Sequence, residues 1–314
     1  MDIQGEAEKV KVGSSLVSEY DLPTKAWYLK PQDTTLPYVS LLELALQPCG
    51  FLSAYMGSIK DMSDLDLYFR NLDGEGILSE WPDILGHTLT NRVELLSTIK
   101  LRNVIIQEYS FELSSRGRIF YQGKSSFGYF PLPMLLNQSG LDGNQTIAPW
   151  MDTNLKDGKW VEFSSPSVSS QKPEQPGVPE INKTWISPTG GNYQKGYIFS
   201  EQIIPPNSWF YEAHFFQDPV MPGSLGVETI AQAIIKSTPD LGLPENKHWR
   251  IKPGTSTSWK YRGQITREVK GIKFDFHIKD IINGDHGWQI IGDGNLWKED
   301  VRIYQVTDLS LESY

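Results

Sequence analysis

Trp209-Phe-Tyr-Glu-Ala-His-Phe-Phe-Gln-Asp-Pro-Val-Met-Pro-Gly-Ser-Leu-Gly-Val-Glu-Thr-Ile-Ala-Gln-Ala-Ile-Ile-Lys236 is the stretch that decides the fold. It has three parts. An aromatic run ending at His214 reads as a strand. A Pro-bounded loop, Asp218 to Gly223, follows. The run from Ser224 to Ile235 is almost free of charge and long enough for a helix. Gly223 stands where that helix should begin, so backbone N–H groups without intrahelical acceptors point at the loop mouth. The helix is apolar nearly all round and is expected to be buried on every side. Yet it carries Glu228 and Gln232, four apart and so on one face. A carboxylate and an amide in such a helix need partners or a task.

An earlier stretch has the same grammar. Val39 to Met56 reads as a second buried helix, with a kink or break expected at Pro48. Laid over the later stretch without a gap, Gln32, Asp33, Pro37, Glu43 and Gln47 fall on Gln217, Asp218, Pro222, Glu228 and Gln232. The repeat fails at one position, where Leu29 is the counterpart of His214. Strand signals surround both helices. Residues 7–20 alternate, and strands are expected at Val93–Leu101, Val104–Ser114 and Arg118–Phe127. The later set is Ser258–Ile265, Gly271–Ile282, Gly287–Trp297 and Val301–Val306. Between them, residues 164–181 form a Pro/Ser-rich linker. The fold class is therefore α+β: two repeats, 1–163 and 182–314, each an antiparallel sheet wrapped around a central helix.

Composition narrows the function. A formal net charge of −9 argues against nucleic acid as a partner. No run of about 18 apolar residues is present, so no membrane span is expected. The N-terminus has no apolar signal core, and one cysteine, Cys49, allows neither an internal disulfide nor a thiolate metal cluster. These features fit a cytoplasmic setting. His87, His248, His277 and His286 have no metal-ligand spacing and read as surface or packing residues. The Gly-Asp-Gly at 292–294 and Asp73-Gly74 read as turns or bulges.

The segment His214-Phe-Phe-Gln-Asp-Pro-Val-Met-Pro-Gly-Ser-Leu-Gly-Val-Glu228-Thr-Ile-Ala-Gln232 resembles the signature of the hot-dog β-hydroxyacyl-thioester dehydratases of fatty acid synthesis. Leu36-Pro-Tyr-Val-Ser-Leu-Leu-Glu43-Leu-Ala-Leu-Gln47-Pro-Cys-Gly50 and Tyr68-Phe-Arg-Asn-Leu-Asp-Gly74 look like dehydratase regions of polyunsaturated fatty acid synthases and related iterative polyketide-type synthases. Together they cover most of the chain. There are two departures: Gln217, where the family often has glycine, and Leu29 in place of a first-half histidine.

The resemblance implies a double hot-dog pseudo-dimer in one chain, in which each site joins the histidine of one unit to the acid of the other. On that pattern His214 pairs with Glu43, and the pseudo-site of Glu228 with Leu29 is inactive. It also implies a β-hydroxyacyl substrate carried on the phosphopantetheine arm of an acyl carrier protein. Other synthase domains are implied as partners, and no metal or redox cofactor is. Removing a Cα proton needs a base near neutral pKa, His214, and expelling the hydroxyl needs an acid, Glu43. Gly223 is the candidate holder of the thioester carbonyl. Gln47 supports Glu43 from one turn away, and Asp218 and Pro222 shape the loop.

Each residue also has a plainer reading. His214 alone could be a satisfied core histidine, Glu43 could solvate a kinked helix, and both glutamines could satisfy buried backbone. Acyl thioesterase and an inert acyl-binding or scaffolding module are the alternative functions. Acyl length, double-bond isomerisation and homodimer formation stay open at this level.

Overall fold

The computed structural model describes residues 1–29, 36–62, 64–163, 181–245, 247–284 and 287–314. Gln32, Asp33, His286 and the Pro/Ser-rich stretch 164–180 lie outside the described residues. The chain divides into two compact units, Met1–Gln138 with Pro253–Lys260, and Ser139–Lys252 with Tyr261–Tyr314.

In the first unit, helix α1 (Tyr38–Tyr55) lies against an antiparallel sheet whose last strand in sequence, before residue 138, runs into a short helix, α2 (Leu132–Leu136). The strands are β1 (Asp2–Gln4), β2 (Ser15–Asp21), β3 (Leu67–Leu78), β4 (Thr88–Lys100), β5 (Ile105–Ser115), β6 (Arg118–Pro131) and β11 (Ser256–Tyr261). Their order is β1-β2-β4-β5-β6-β3-β11. On β5 buried and half-buried residues alternate from end to end, so Ile105, Gln107, Tyr109, Phe111 and Leu113 form one buried face. Leu41, Leu42, Ala45, Cys49 and Leu52 of α1 are buried too. Burial pushes the Cys49 thiol up, as befits a core residue with no nucleophilic role. A bulge interrupts β3 between Asn71 and Asp73, and the Trp259 ring of β11 lies over Gly74, where a Cβ would meet it at 2.1 Å.

The expected break at Pro48 is absent: α1 runs unbroken through it. Proline lacks the N–H that the Leu44 carbonyl would accept one turn back. Buried Asn91 of β4 supplies the replacement, its Nδ2 donating to Leu44 O at 2.8 Å and to Ala45 O at 3.1 Å. The break is repaired from the sheet, which a reading of the helix in isolation could not foresee.

The second unit repeats the plan around α5 (Gly223–Ser237). Its strands are β7 (Lys159–Glu162), β8 (Lys183–Ser187), β9 (Tyr197–Ile203), β10 (Trp249–Ile251), β12 (Gly271–Gly284), β13 (Gly287–Lys298) and β14 (Val301–Ser313). The order is β14-β13-β12-β9-β8-β7, with β10 on β14. The Gly-Asp-Gly at 292–294 is a bulge, where the β13–β14 register shifts. Residues 139–163, expected in the first half, pack in this unit instead. β7 pairs with β8, Trp150 and Met151 of the short helix α3 (Trp150–Thr153) pack against Trp185, Tyr197 and Phe199, and Arg302 forks onto Asp142.

Helix α5 is not buried on every side. Glu228, Gln232, Ile235 and Lys236 are half-exposed, and their spacing places them along one stripe, while the residues between them are buried.

If Asn91 stands in for the missing N–H, Asn91→Leu should lower unfolding free energy by about 1–3 kcal/mol, the cost of orphaned buried carbonyls. In a Pro48→Ala background, where the helix regains its own donor, the loss should shrink well below that. Equal losses in both backgrounds, read by urea denaturation, would rule out the repair.

Candidate active site

His214 sits at the end of a helical turn, not of a strand. Residues 205–208 close a turn through Ser208 N–H to Pro205 O at 3.0 Å, and α4 (Phe210–Ala213) follows. His214 N–H then bonds Phe210 O at 2.8 Å. The aromatic run looked strand-like, but consecutive Phe210 and Tyr211 are both buried, which a half-buried strand does not allow.

Beyond His214 the chain doubles back. Phe215 and Asp218 bond each other through both backbone pairs, at 2.9 and 3.1 Å. Asp218 therefore shapes the loop before Pro219. Val220 N–H reaches His214 O at 2.8 Å, and Val220 O in turn lies 3.0 Å from His214 Nδ1. A carbonyl can only accept, so Nδ1 carries a proton, and whenever the ring is neutral its lone pair is on Nε2. The half-buried imidazole is flanked by the Phe215 ring, centroid to centroid 3.7 Å.

Pro222 is the N-cap of α5, and Gly223 is its first residue. The Gly223 amide has no acceptor one turn back within the helix, and the dipole of α5 makes this end partly positive. Glycine is required here by packing: a Cβ would come within 2.5 Å of the Tyr261 ring. Farther along α5, Gln232 Nε2 donates to Glu228 Oε1 at 2.7 Å, so the amide and acid singled out above bond each other.

In the first unit, Leu29 is buried, and no imidazole stands at this position. Glu43 is half-buried on α1. Gln47, one turn on, is exposed and lines an open groove of about 370 Å³ with Leu44, Pro48, Phe51, Leu89 and Leu113. Glu43 and His214 belong to different units.

The sequence reading missed a polar cluster. Buried Asp275 accepts from Tyr197 Oη at 2.9 Å and from Asn295 Nδ2 at 2.9 Å, and its Oδ2 lies 3.2 Å from His277 Nε2. Asn192 N–H donates to His277 Nδ1 at 3.1 Å, which assigns the ring proton to Nε2. The partners close on one another, so the cluster ties strands together and His277 is a packing histidine, as its sequence context suggested. No signal short of the strand register would have linked positions 197, 275 and 295. Among the described residues no His, Cys, Asp and Glu group could hold a metal ion, and no helix is long and apolar enough to cross a membrane.

Residues 181–307 match the FabA-like domain model. Over 94% of its length the chain is 31% identical to one of the subunits that make up the polyunsaturated fatty acid synthase of Thraustochytrium sp., and it spans 21% of that protein. The 12:0-ACP thioesterase from Umbellularia californica has a similar structure, with a TM-score of 0.54 at 11% identity, covering 96% of this chain and 94% of that one. At such low identity the likeness is one of fold, the hot-dog architecture.

Gln217 adopts φ +60°, the left-handed region that glycine occupies without strain. Gln217→Gly should keep or raise the melting temperature. Gln217→Val should destabilise by roughly 1–2 kcal/mol, since a β-branched side chain tolerates this conformation least. A stable valine variant in thermal melts would refute this account of the turn.

Proposed function

We propose that this chain, with a FabA-like domain at residues 181–307, dehydrates β-hydroxyacyl thioesters presented by an acyl carrier protein. The product would be a trans-2-enoyl thioester and water. The observation that carries the proposal is the tautomer of His214: Val220 O holds the proton on Nδ1, leaving Nε2 as the basic nitrogen. The relative's name supports a fatty-acyl substrate in a synthase.

In this reading Nε2 of His214 takes the Cα proton, which the thioester carbonyl acidifies. The electron pair moves toward the carbonyl oxygen, where the Gly223 N–H and the positive end of α5 stabilise the charge. Glu43, as the acid, protonates the β-hydroxyl, and the Cβ–O bond breaks to release water. The imidazolium then loses its proton to solvent and the Glu43 carboxylate regains one from it, which closes the cycle. No metal or redox group is called for. The substrate's phosphopantetheine arm belongs to the carrier protein. Glu228 is assigned a structural role, which its bond to Gln232 supports.

Mass spectrometry of a β-hydroxyacyl-carrier substrate provides the test. Loss of water is expected; release of carrier thiol would favour the thioesterase, and binding without turnover the inert module. His214→Ala and Glu43→Ala should each lower the rate at least about 100-fold, the usual worth of a general base or acid. Glu228→Ala should stay within a few-fold of wild type. Should Glu228→Ala prove inactive and Glu43→Ala active, both folded, the acid is misassigned. The double-bond position in the same product reads out isomerisation.

A further inference from the structure

The histidine is held from behind by a segment that no motif marks. Residues 264–267 run past both sides of the His214 loop. On the downstream side, Thr266 pairs with Val220 as an antiparallel bridge, and Ile265 O accepts from Met221 N–H at 2.9 Å. Upstream, Tyr211 Oη donates to Thr266 O at 2.8 Å. The neighbouring guanidinium of Arg267 donates to Tyr211 O at 3.0 Å and to Pro206 O at 3.3 Å, and it lies 5.4 Å from the Tyr211 ring centroid. One short piece of chain therefore ties the turn that delivers His214 to the loop whose carbonyl selects its tautomer.

The consequence is mechanical. The His214 Nδ1 bond survives only while Val220 O and the end of α4 keep their spacing, which the Val220 N–H to His214 O bond holds within the loop and residues 265–267 brace from outside it. We propose that Arg267 and Tyr211 are positioning residues, which hold His214 in the Nε2-basic tautomer by clamping α4 to the Val220 loop. This rests on the reading of His214 as the base. Neither side chain is assigned contact with substrate. Burial pushes the Tyr211 hydroxyl up to about 12, so it stays a donor throughout the neutral range. Arg267 is exposed, so its replacement removes bonds to backbone without opening a core cavity.

The test uses the full chain with Arg267→Gln, Arg267→Lys and Tyr211→Phe. Small displacements of a catalytic group are costly, so kcat should fall roughly tenfold or more in Arg267→Gln and Tyr211→Phe with KM unchanged. Arg267→Lys, which keeps charge and a donor, should recover part of the loss. Nitrogen-15 NMR of the imidazoles supplies a readout independent of turnover. Wild type should show His214 protonated at Nδ1, and the two damaging variants a mixture of tautomers. An unchanged His214 spectrum in both variants overturns the clamp, whatever happens to kcat. If His214→Ala itself keeps full turnover, the base reading fails, and the clamp is still decided by the spectra.

Discussion

A helix laid against an antiparallel sheet leaves little water to satisfy polar groups at its defects, so each defect must be answered by a residue from elsewhere in the chain. This constraint explains why both units look as they do. In the first, Pro48 takes a donor out of α1, and Asn91 of β4 replaces it. In the second, the loop before α5 turns its backbone inward, and its groups are answered in sequence. Val220 N–H bonds His214 O, Val220 O meets the imidazole, and Met221 N–H finds Ile265 O. The repair in the first unit keeps α1 continuous. The one in the second also decides which nitrogen of a histidine is basic.

The two units differ less in architecture than in what fills one position. Leu29 is buried hydrocarbon in the first unit, and His214 is a half-buried imidazole in the second. Their helices carry acid and amide at matching positions, with different surroundings. Glu228 is bonded by Gln232 within α5, whereas Gln47 is exposed at the edge of a groove. Duplication preserved the frame, and the individual side chains diverged in environment. That asymmetry distinguishes the surroundings of two carboxylates that look equivalent when the halves are aligned.

Much of this is legible in the order of residues alone. The run Ser224–Ile235 marks α5 because it lacks charge and follows a Pro-Gly boundary, and α5 extends only slightly beyond it. Alternation marks β5, and Asp218 before Pro219 marks the turn. Less legible is β3 (Leu67–Leu78), whose glycines and charges hide its pattern and whose pairing with β6 and β11 spans distant sequence. The turn at α4 is hidden by its aromatic residues, which suit strands as readily as corners. Asn91, Arg267 and the Asp275 cluster carry no local signal, because each acts on a partner that only the tertiary fold brings near.

By itself, then, the sequence determined the repeated plan, the two central helices, the Pro-bounded loop after His214 and the leucine, Leu29, at the matching position of the first half, since all of these follow from residue type and short-range spacing. Only the tertiary structure decided that α1 passes unbroken through Pro48, that residues 139–163 join the second unit, that Gly223 makes room for Tyr261, and that Nδ1 of His214 holds the proton. Each of these depends on an atom from outside its immediate neighbours in the chain, brought close by Asn91, by strand pairing, by Tyr261 or by the folding back of the loop at Val220. Hydrogen bonds and packing act over a few ångströms of space, and separation along the chain says nothing about which groups will come that close.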